Sequence, residues 1–403
     1  EFEAAWKADS RTKNKPFSSD PWRYRARDNE TVSNLGIYAS VQWDITDQTT
    51  LSAEIRQADD DNIARGSGDT KFEFVNSSTQ PRLSITHALS DNWTAYGQYA
   101  TGSNPAGANL PLTDERMKAS LTAANKAGHV TYDASTYLTF DEEEITNFEV
   151  GIKGAGLDNR LQLSAALYTM DWDNIIQGAS FTWNGDWNDG TYDPDGTIFT
   201  IVGSGMVFVN SGVGDVKGVE VEGSYRINDN WSLRGGATIA SNVYDTFCER
   251  PDSVDDFGYT PTHTVAADGV LYDCVNLDGN KITLGPEKTM SLSTTYRAPL
   301  GGTGWEWSVR GGVRAESQVY MDAMNIMTIP NTMELNGSVN FTNDNWEITL
   351  FGNNLTDLRT PRPTLGLGDD PNICGFLSGC KEDNFLFRLR TPREMGVRLR
   401  YQF

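Results

Sequence analysis

The chain has 403 residues, a mean hydropathy of −0.48 and a net charge of −22, from 55 acidic and 33 basic side chains. This charge disfavours binding to nucleic acid, and no run reaches the roughly 18 apolar residues that a membrane helix needs. Two acidic clusters, Asp59–Asp61 and Asp141–Glu144, are interpreted as solvated loop charge.

Alternation of apolar and polar residues is the main pattern along the chain. From Leu35 to Ile45 every odd position is apolar, whereas the even positions are polar or small. The same period of two recurs in Leu161–Leu167, Val219–Ile227 and Trp305–Arg314, with polar or charged residues between the apolar ones. Strands with charges on one face and apolar side chains on the other fit a water-lined lumen surrounded by lipid. The pattern therefore predicts an all-β protein, a transmembrane antiparallel β-barrel.

The connections between these strands alternate in length. Short turns are predicted at Asp47, Asp91, Asp158, Asp229 and Asp344, and long polar stretches at 102–141, 177–206, 246–285 and 357–384. Asp and Asn close tight hairpins because they tolerate left-handed conformations and bond their own backbone. We expect about 14 strands, from one near Glu1–Ala8 to one near Phe385–Phe403. In outer-membrane barrels the short turns are periplasmic and the long loops extracellular.

Four cysteines fall in two of the long stretches. Cys248 and Cys274 lie in one stretch, and Cys374 and Cys380 lie in another. Four cysteines allow three connectivities, and local pairing is the simplest of them. Disulfides are favoured over a zinc site because no close Cys-x-x-Cys pair or neighbouring histidine is present. Such bonds would indicate an oxidising compartment.

One loop carries the best candidate residues for ligand binding. Trp183, Trp187 and Tyr192 are followed by Asp193 and Asp195, and aromatic side chains beside carboxylates suit a sugar or a cationic ligand. A solvated loop tip is the competing interpretation, and it is the favoured one.

Catalytic chemistry is not expected. The three histidines, His87, His129 and His263, have no nucleophile or acid–base set around them in the sequence. We therefore predict a protein that is not an enzyme, with no metal site and no cofactor.

The last ten residues resemble the signal that the barrel assembly machinery reads on outer-membrane proteins. Met395, Val397, Leu399, Tyr401 and Phe403 share one face of a strand that ends in an aromatic residue. Glu394, Gly396, Leu399, Tyr401 and Phe403 match the pattern of that signal.

Several segments resemble the C-terminal barrel of TonB-dependent receptors. They are Phe351–Asp357 (Phe-Gly-Asn-Asn-Leu-Thr-Asp), Thr146–Gly154 (Thr-Asn-Phe-Glu-Val-Gly-Ile-Lys-Gly), Lys217–Glu222 (Lys-Gly-Val-Glu-Val-Glu) and the hairpin that runs from Pro81 to Tyr99. They occur in the order found in that family and cover the chain from about Asn34 to Phe403.

The resemblance implies an integral protein of the bacterial outer membrane with a plugged barrel of about 22 strands. Residues 1–403 would then be the C-terminal portion of the barrel, and the N-terminal plug domain and first strands would be absent. Expected partners are the TonB complex (through the plug), the barrel assembly machinery, outer-membrane lipid and a small-molecule ligand. The expected function is energised import of a scarce nutrient. A ferric siderophore is favoured, carbohydrate or another organic nutrient is the alternative, and a passive porin is the alternative of a different class.

Overall fold

The structure, a computed structural model, describes residues 29–65, 71–109, 138–186, 191–192, 201–249, 263–267, 270–361 and 389–403. The described residues form β-strands joined by turns and loops. The strand predicted at Glu1–Ala8 lies outside the described residues. Within the described ranges, no helix is long and apolar enough to cross a membrane.

Twenty-two strands are described, and thirteen of them form one continuous antiparallel path. The strands of this path are β1 (Asn29–Thr46), β2 (Thr49–Arg65), β3 (Lys71–Ser90), β4 (Trp93–Asn104), β7 (Glu143–Gly156), β8 (Leu161–Asp173), β12 (Gly212–Arg226), β13 (Trp231–Glu249), β16 (Lys288–Pro299), β17 (Glu306–Glu316), β20 (Thr332–Thr342), β21 (Trp346–Asn353) and β22 (Glu394–Tyr401). Each strand pairs with its neighbours along the path, as the alternation of short and long connections predicts.

The other nine strands belong to the long connections. They are β5 (Gly107–Ala108), β6 (Thr139–Phe140), β9 (Ile176–Asp186), β10 (Thr191–Tyr192), β11 (Ile201–Asn210), β14 (His263–Ala267), β15 (Val270–Asn276), β18 (Val319–Tyr320) and β19 (Thr328–Ile329). The strands β10, β9 and β11 form a separate small sheet, and β15 joins β14 to the end of β13.

Six short connections lie at one end of the sheet, which we call the turn rim. Five of them are the predicted turns, and the sixth joins β16 to β17 through Leu300–Trp305. The sequence pattern missed this turn because it contains neither Asp nor Asn. Two glycines with positive φ, Gly301 (57°) and Gly304 (75°), supply the left-handed conformations instead. The opposite end, the loop rim, carries the long connections and also the five residues 66–70 between β2 and β3.

The triplet Asp-Asn-Trp recurs at 91–93, 229–231 and 344–346, and its role is visible at the last two of these turns. The side-chain oxygen of Asn228 accepts hydrogen bonds from the N–H groups of Asn230 and Trp231, both at 2.9 Å. Asn343 does the same for Asn345 and Trp346, at 3.0 and 2.7 Å. Both turns are therefore closed by an asparagine that precedes the triplet.

The register gives the sheet two chemically different faces. On the apolar face, directly opposed pairs include Val150 and Leu167, then Leu167 and Val219 on the next strand pair. The apolar side chains stay exposed, as shown by Val41 (67%) and Leu399 (65%), so no protein layer covers them in the described part of the chain. The alternate positions form the polar face.

Except for Ala58 of β2, the buried apolar residues of the described ranges gather at the loop rim and not in the middle of the sheet. The cluster comprises Ile175, Tyr244, Phe247, Leu277, Ile282, Ala323 and Met324. The rings of Tyr244 and Phe247 stack with their centroids 4.1 Å apart. The long connections thus pack on one another above the ends of β8, β12 and β13.

The interpretation of the acidic clusters as loop charge was wrong for Asp59–Asp61 and only partly right for Asp141–Glu144, since Asp141 and Glu142 lie outside the strands whereas Glu143 and Glu144 do not. Asp59–Asp61 lie inside β2, and Asp60 is buried and accepts a hydrogen bond from the side chain of Asn34. Glu143 begins β7, where its carboxylate accepts a hydrogen bond from the indole N–H of Trp172 at 2.7 Å. Neighbouring strands supply these donors, which a sequence pattern does not reveal.

Candidate functional site

The polar face carries a connected set of charged and hydroxyl groups. The Tyr96 hydroxyl donates a hydrogen bond to a carboxylate oxygen of Glu149 at 2.6 Å, and the ammonium of Lys153 lies 5.7 Å from the Tyr96 ring centroid. Arg82 donates to Gln98 at 2.8 Å on the neighbouring strand pair. Groups of this kind can bind the polar surface of a protein domain or of a solute.

Aromatic rings on the polar face lie over glycines of the next strand. Tyr96 is directly opposite Gly151, Tyr168 is opposite Gly218, and Phe351 is opposite Gly396. A Cβ at any of these glycines would come within 2.6 Å of the opposing ring atoms. The glycines therefore allow the rings to lie flat against the sheet, which preserves space in front of the polar face.

Eight charged residues that alternate with apolar residues along the strands fall on the polar face. They are Glu220, Glu222, Arg226, Glu306, Arg310, Arg314, Glu334 and Glu347. A recess of about 780 Å³ lies beside Glu222, bordered by Lys153 and Arg234 and floored by Gly236. The recess offers both signs of charge to whatever lies against the wall.

An arginine outside the predicted sites joins the last long connection to this face. Arg390 forms a 3.1 Å ion pair with Glu316 and lies 3.9 Å from the carboxylate of Glu334. The side chains of Arg390 and Glu316 are only 13% and 12% exposed. Glu316 also binds Arg314 at 2.8 Å. No pattern in the sequence indicated this network beyond the presence of the charges.

The loop-rim connections are further joined by asparagine side chains. Asn325 accepts a hydrogen bond from the N–H of Lys281 at 2.7 Å and donates to its carbonyl at 2.9 Å. Asn109 bonds both backbone groups of Phe208 on β11, at 2.7 and 2.8 Å. These amides replace strand partners where the backbone has none, and they order the connections around the rim.

The predicted ligand residues lie on or near the small sheet of the loop rim. Trp183 is on β9, opposite Gly203 of β11, and Tyr192 is on β10, opposite Gly185. Trp187, Asp193 and Asp195 lie outside the described residues, so ligand binding by this set stays a prediction.

The cysteines are only partly described. Cys248 on β13 is opposite Asn276 of β15, and Cys274 lies two positions earlier on β15. The backbone thus places these two cysteines on neighbouring strands, two positions away from a direct pairing. Cys374 and Cys380 lie outside the described residues, and both disulfides stay predictions.

The residues of the predicted assembly signal occupy the last strand of the sheet. Glu394, Gly396, Leu399 and Tyr401 lie in β22, and Phe403 follows it. The Tyr401 ring contacts Trp346 (centroids 4.8 Å apart) and Phe403 (4.9 Å) at the turn rim. The placement is the expected one, and recognition by the assembly machinery stays a prediction.

The Asn-Asn-Leu-Thr-Asp segment forms a cluster of hydrogen bonds, the Asn354 cluster, where β21 ends. Asn354 is 4% exposed and has a positive φ of 48°. Its side chain donates to the carbonyls of Leu358 and Thr391, both at 2.9 Å, and accepts from the N–H of Leu358 at 2.8 Å. Its own N–H donates to Asn336 of β20 at 2.8 Å. The segment that resembles a family motif therefore joins β20, β21 and the chain entering β22.

Comparison with known proteins agrees with this architecture. The family described as TonB dependent receptor-like, beta-barrel matches residues 2–355. A probable TonB-dependent siderophore receptor, PiuA of Acinetobacter baumannii, is 24% identical over 352 residues, which cover 86% of this chain and 39% of that protein.

Solved structures show the same fold. The ferric yersiniabactin uptake receptor FyuA of Yersinia pestis superposes with a TM-score of 0.61 at 17% identity, covering 93% of this chain and 46% of the receptor. The crystal structure of PiuA gives a TM-score of 0.58 at 19% identity, covering 92% and 43%. The chain thus spans less than half the length of the relatives that it matches. With most of its length matched, the chain belongs to the family of TonB-dependent receptor β-barrels.

Proposed function

We propose that the full-length protein imports a ferric siderophore across the bacterial outer membrane, using energy delivered through TonB. The observation that carries this proposal is the two-faced sheet of thirteen strands, apolar and exposed on one side and charged on the other. Membership of the TonB-dependent receptor family supports the energised mechanism. The siderophore is proposed because relatives bear that function in their names.

The apolar face would contact lipid, and the polar face would line the lumen. Strands of a transmembrane barrel alternate in this way because one side meets hydrocarbon and the other meets water or a plug. Trp231, Trp346 and Tyr401 at the turn rim would lie at a headgroup level, which suits rings with one polar group. The turn rim would be periplasmic and the loop rim extracellular.

The polar face would hold a plug domain. The sheet has unpaired edges at β1 and β22 within the described part, so further strands would be needed to close a barrel around that domain. Lys153, Glu222 and Arg234 around the recess offer charged hydrogen-bonding groups to it. A plug held by many such contacts does not move spontaneously at a useful rate, which is the physical reason for coupling to TonB.

The packed loop rim would form the outer part of the ligand path. Its connections are held by the buried cluster around Leu277, by the asparagine pairs, and by Arg390. A rigid rim can present binding groups in a fixed arrangement, which reduces the entropy lost when a ligand binds. The aromatic residues near Trp183 and Tyr192 remain the proposed contacts.

Growth under iron limitation tests the substrate. A strain that lacks the gene is supplied with single purified ferric siderophores, or with oligosaccharides as sole carbon source, and then complemented with the gene. We expect complementation to restore growth on at least one ferric siderophore. Restoration on an oligosaccharide alone would replace the siderophore with the carbohydrate alternative.

A further inference from the structure

A groove of about 650 Å³ runs across the middle of the apolar face between β2 and β8. Leu83 and Ile85 of β3 border it on one side, and Phe148 and Val150 of β7 border it on the other. Its floor is Gly97 of β4. A Cβ at Gly97 would lie 3.6 Å from Ile85 and 3.8 Å from Val150, which is ordinary contact. The fold therefore does not require a glycine at this position, yet its missing side chain leaves the groove open.

The lining of the groove is apolar. Strand alternation places the side chains of Glu149 and Tyr168 on the opposite face, where Glu149 binds Tyr96 and Tyr168 covers Gly218. These residues therefore contribute mainly backbone to the groove. Such a lining fits a hydrocarbon chain and offers little to a polar solute.

The two ends of the groove differ in charge. At the loop-rim end, Thr169 is directly opposite Lys217, whose ammonium lies 2.9 Å from the carboxylate of Asp215. Asp171 lies on the same face, opposite Asp215. This end therefore carries more carboxylate than ammonium charge and disfavours an anionic headgroup.

The turn-rim end of the groove carries a hydrogen-bond donor that suits an anionic headgroup. Leu51 and Ile85 line the groove and are directly opposed, and the next pair on the same face is Thr49 and His87. The Thr49 hydroxyl and the His87 Nδ1 are 2.8 Å apart. These two groups are hydrogen-bonded to each other, and the group that accepts in the pair keeps a proton, on the hydroxyl or on Nε2, that it can donate to a phosphate. The function described above makes no use of His87.

We propose that this groove binds an acyl chain of a phospholipid in the periplasmic leaflet, with the phosphate beside Thr49 and His87. The inference rests on the proposed function in placing the apolar face in lipid and the turn rim on the periplasmic side. Contact with hydrocarbon is already the role of the surrounding face, and the groove continues that surface. Binding strength would come from closer packing than bulk lipid allows, since both surroundings are apolar.

The test measures lipid retained by the full-length protein. The protein, its Gly97→Phe variant and a Gly311→Phe control are extracted in mild detergent and weighed by native mass spectrometry. Gly311 faces the same side outside the groove, with its nearest neighbour 3.8 Å from a built Cβ. We expect phospholipid to remain on the wild type and the control, and to be reduced about tenfold on Gly97→Phe. Equal retention of phospholipid by all three proteins would overturn the proposal. So would retention of lipid A, or of a second copy of the chain, in place of phospholipid.

A second measurement needs no variant in the groove. A phospholipid with a photoreactive acyl chain is crosslinked to the unaltered protein, and the modified peptides are mapped. We expect enrichment at 97–99 and 148–150 over the apolar-face segment 309–313. Uniform labelling would contradict a specific site. Neither result bears on siderophore import, so failure of this proposal is distinguishable from failure of the proposed function.

Discussion

The phenol ring of Tyr96 lies against the Cα of Gly151, the residue directly opposite it on β7. The position of the ring lets its hydroxyl reach Glu149 two residues earlier, at 2.6 Å. One glycine thus allows an aromatic ring, a carboxylate and a nearby lysine to share a small area of the polar face. Tyr168 with Gly218 and Phe351 with Gly396 repeat the arrangement.

Replacing Gly151 with alanine tests this arrangement. The new Cβ would lie 2.6 Å from the Tyr96 hydroxyl and 2.7 Å from the carbonyl oxygen of Ala165, which is backbone and cannot rotate away. We expect Gly151→Ala to lower the free energy of unfolding by about 1–3 kcal/mol. Gly102→Ala is the control, because nothing lies within 4 Å of its built Cβ. Urea titration of the folded barrel in detergent measures both, and equal stabilities would contradict the steric argument.

Asn354 should matter far more than its neighbour Asn353. Asn354→Ala removes four side-chain hydrogen bonds, including one accepted from the Thr356 hydroxyl at 3.3 Å. It also places a residue with a Cβ and no polar side chain at φ 48°. We expect it to lose at least about 2 kcal/mol of stability, since each buried hydrogen bond contributes about 1 kcal/mol. Asn353→Ala loses one exposed 3.5 Å contact with Glu394 and should be nearly neutral. Similar losses for both variants would show that the Asn354 cluster does not stabilise the packing of β20, β21 and β22.

Asp357 makes the stability contributed by the Asn354 cluster dependent on pH. Its hydrogen bonds with the Arg359 guanidinium and the N–H of Arg393 lower the pKa of the carboxyl below its ordinary value. A lowered folded-state pKa means that the stabilisation is complete above the unfolded pKa and is lost as the pH falls through the folded pKa. We expect the wild type to exceed Asp357→Asn in thermal midpoint at pH 7, with the difference shrinking below about pH 4. A difference that stays constant down to acid pH would be inconsistent with this role.

The Arg390–Glu316 pair should be coupled energetically. Removing Arg390 leaves Glu316 with its exposed partner Arg314. We therefore expect Arg390→Met to lower the free energy of unfolding by about 2 kcal/mol, which is less than the loss expected for a fully buried pair. Arg314→Met, which removes a side chain that is 68% exposed, should cost under about 1 kcal/mol. A double-mutant cycle of Arg390→Met with Glu316→Gln measures the coupling. Additive effects would show that the pair does not anchor the last long connection.

The disulfide prediction has a direct chemical test. Digestion of the non-reduced protein followed by mass spectrometry should yield peptides joined through Cys248–Cys274 and through Cys374–Cys380. The first bond would need a shift of two positions in the register of β13 with β15. Peptides that join either of the first two cysteines to either of the last two would contradict the local pairing.

Much of the wall could be predicted from the sequence because alternation is a local property. From Leu35 to Ile45 each side chain's face follows from its parity. The register of β1 with β2 pairs apolar with apolar residues at Ala39, Val41 and Trp43, whereas Leu35 and Ile37 are opposite Asp59 and Gln57. The asparagine turns were predictable for the same reason, since Asn228 and Asn343 bond backbone groups two and three residues away.

Contacts between distant segments could not be predicted in this way. Arg390 pairs with a residue 74 positions earlier, and Asn109 pairs with Phe208 across 99 positions. Asp60 looked like solvated charge because its partner Asn34 lies on another strand. The alternation of a strand indicates which side chains share a face. The partners of residues at the loop rim depend instead on how the long connections fold over one another.

Uptake of a radiolabelled ferric siderophore in cells with and without TonB tests the central claim most directly. Cells that produce the full-length protein should accumulate iron only when TonB and the proton-motive force are present, because a plug bound to the polar face must be moved by work. Cells without TonB should bind the siderophore at the surface without accumulating iron. Equal uptake rates in the two strains would contradict energised import and would indicate a passive pore.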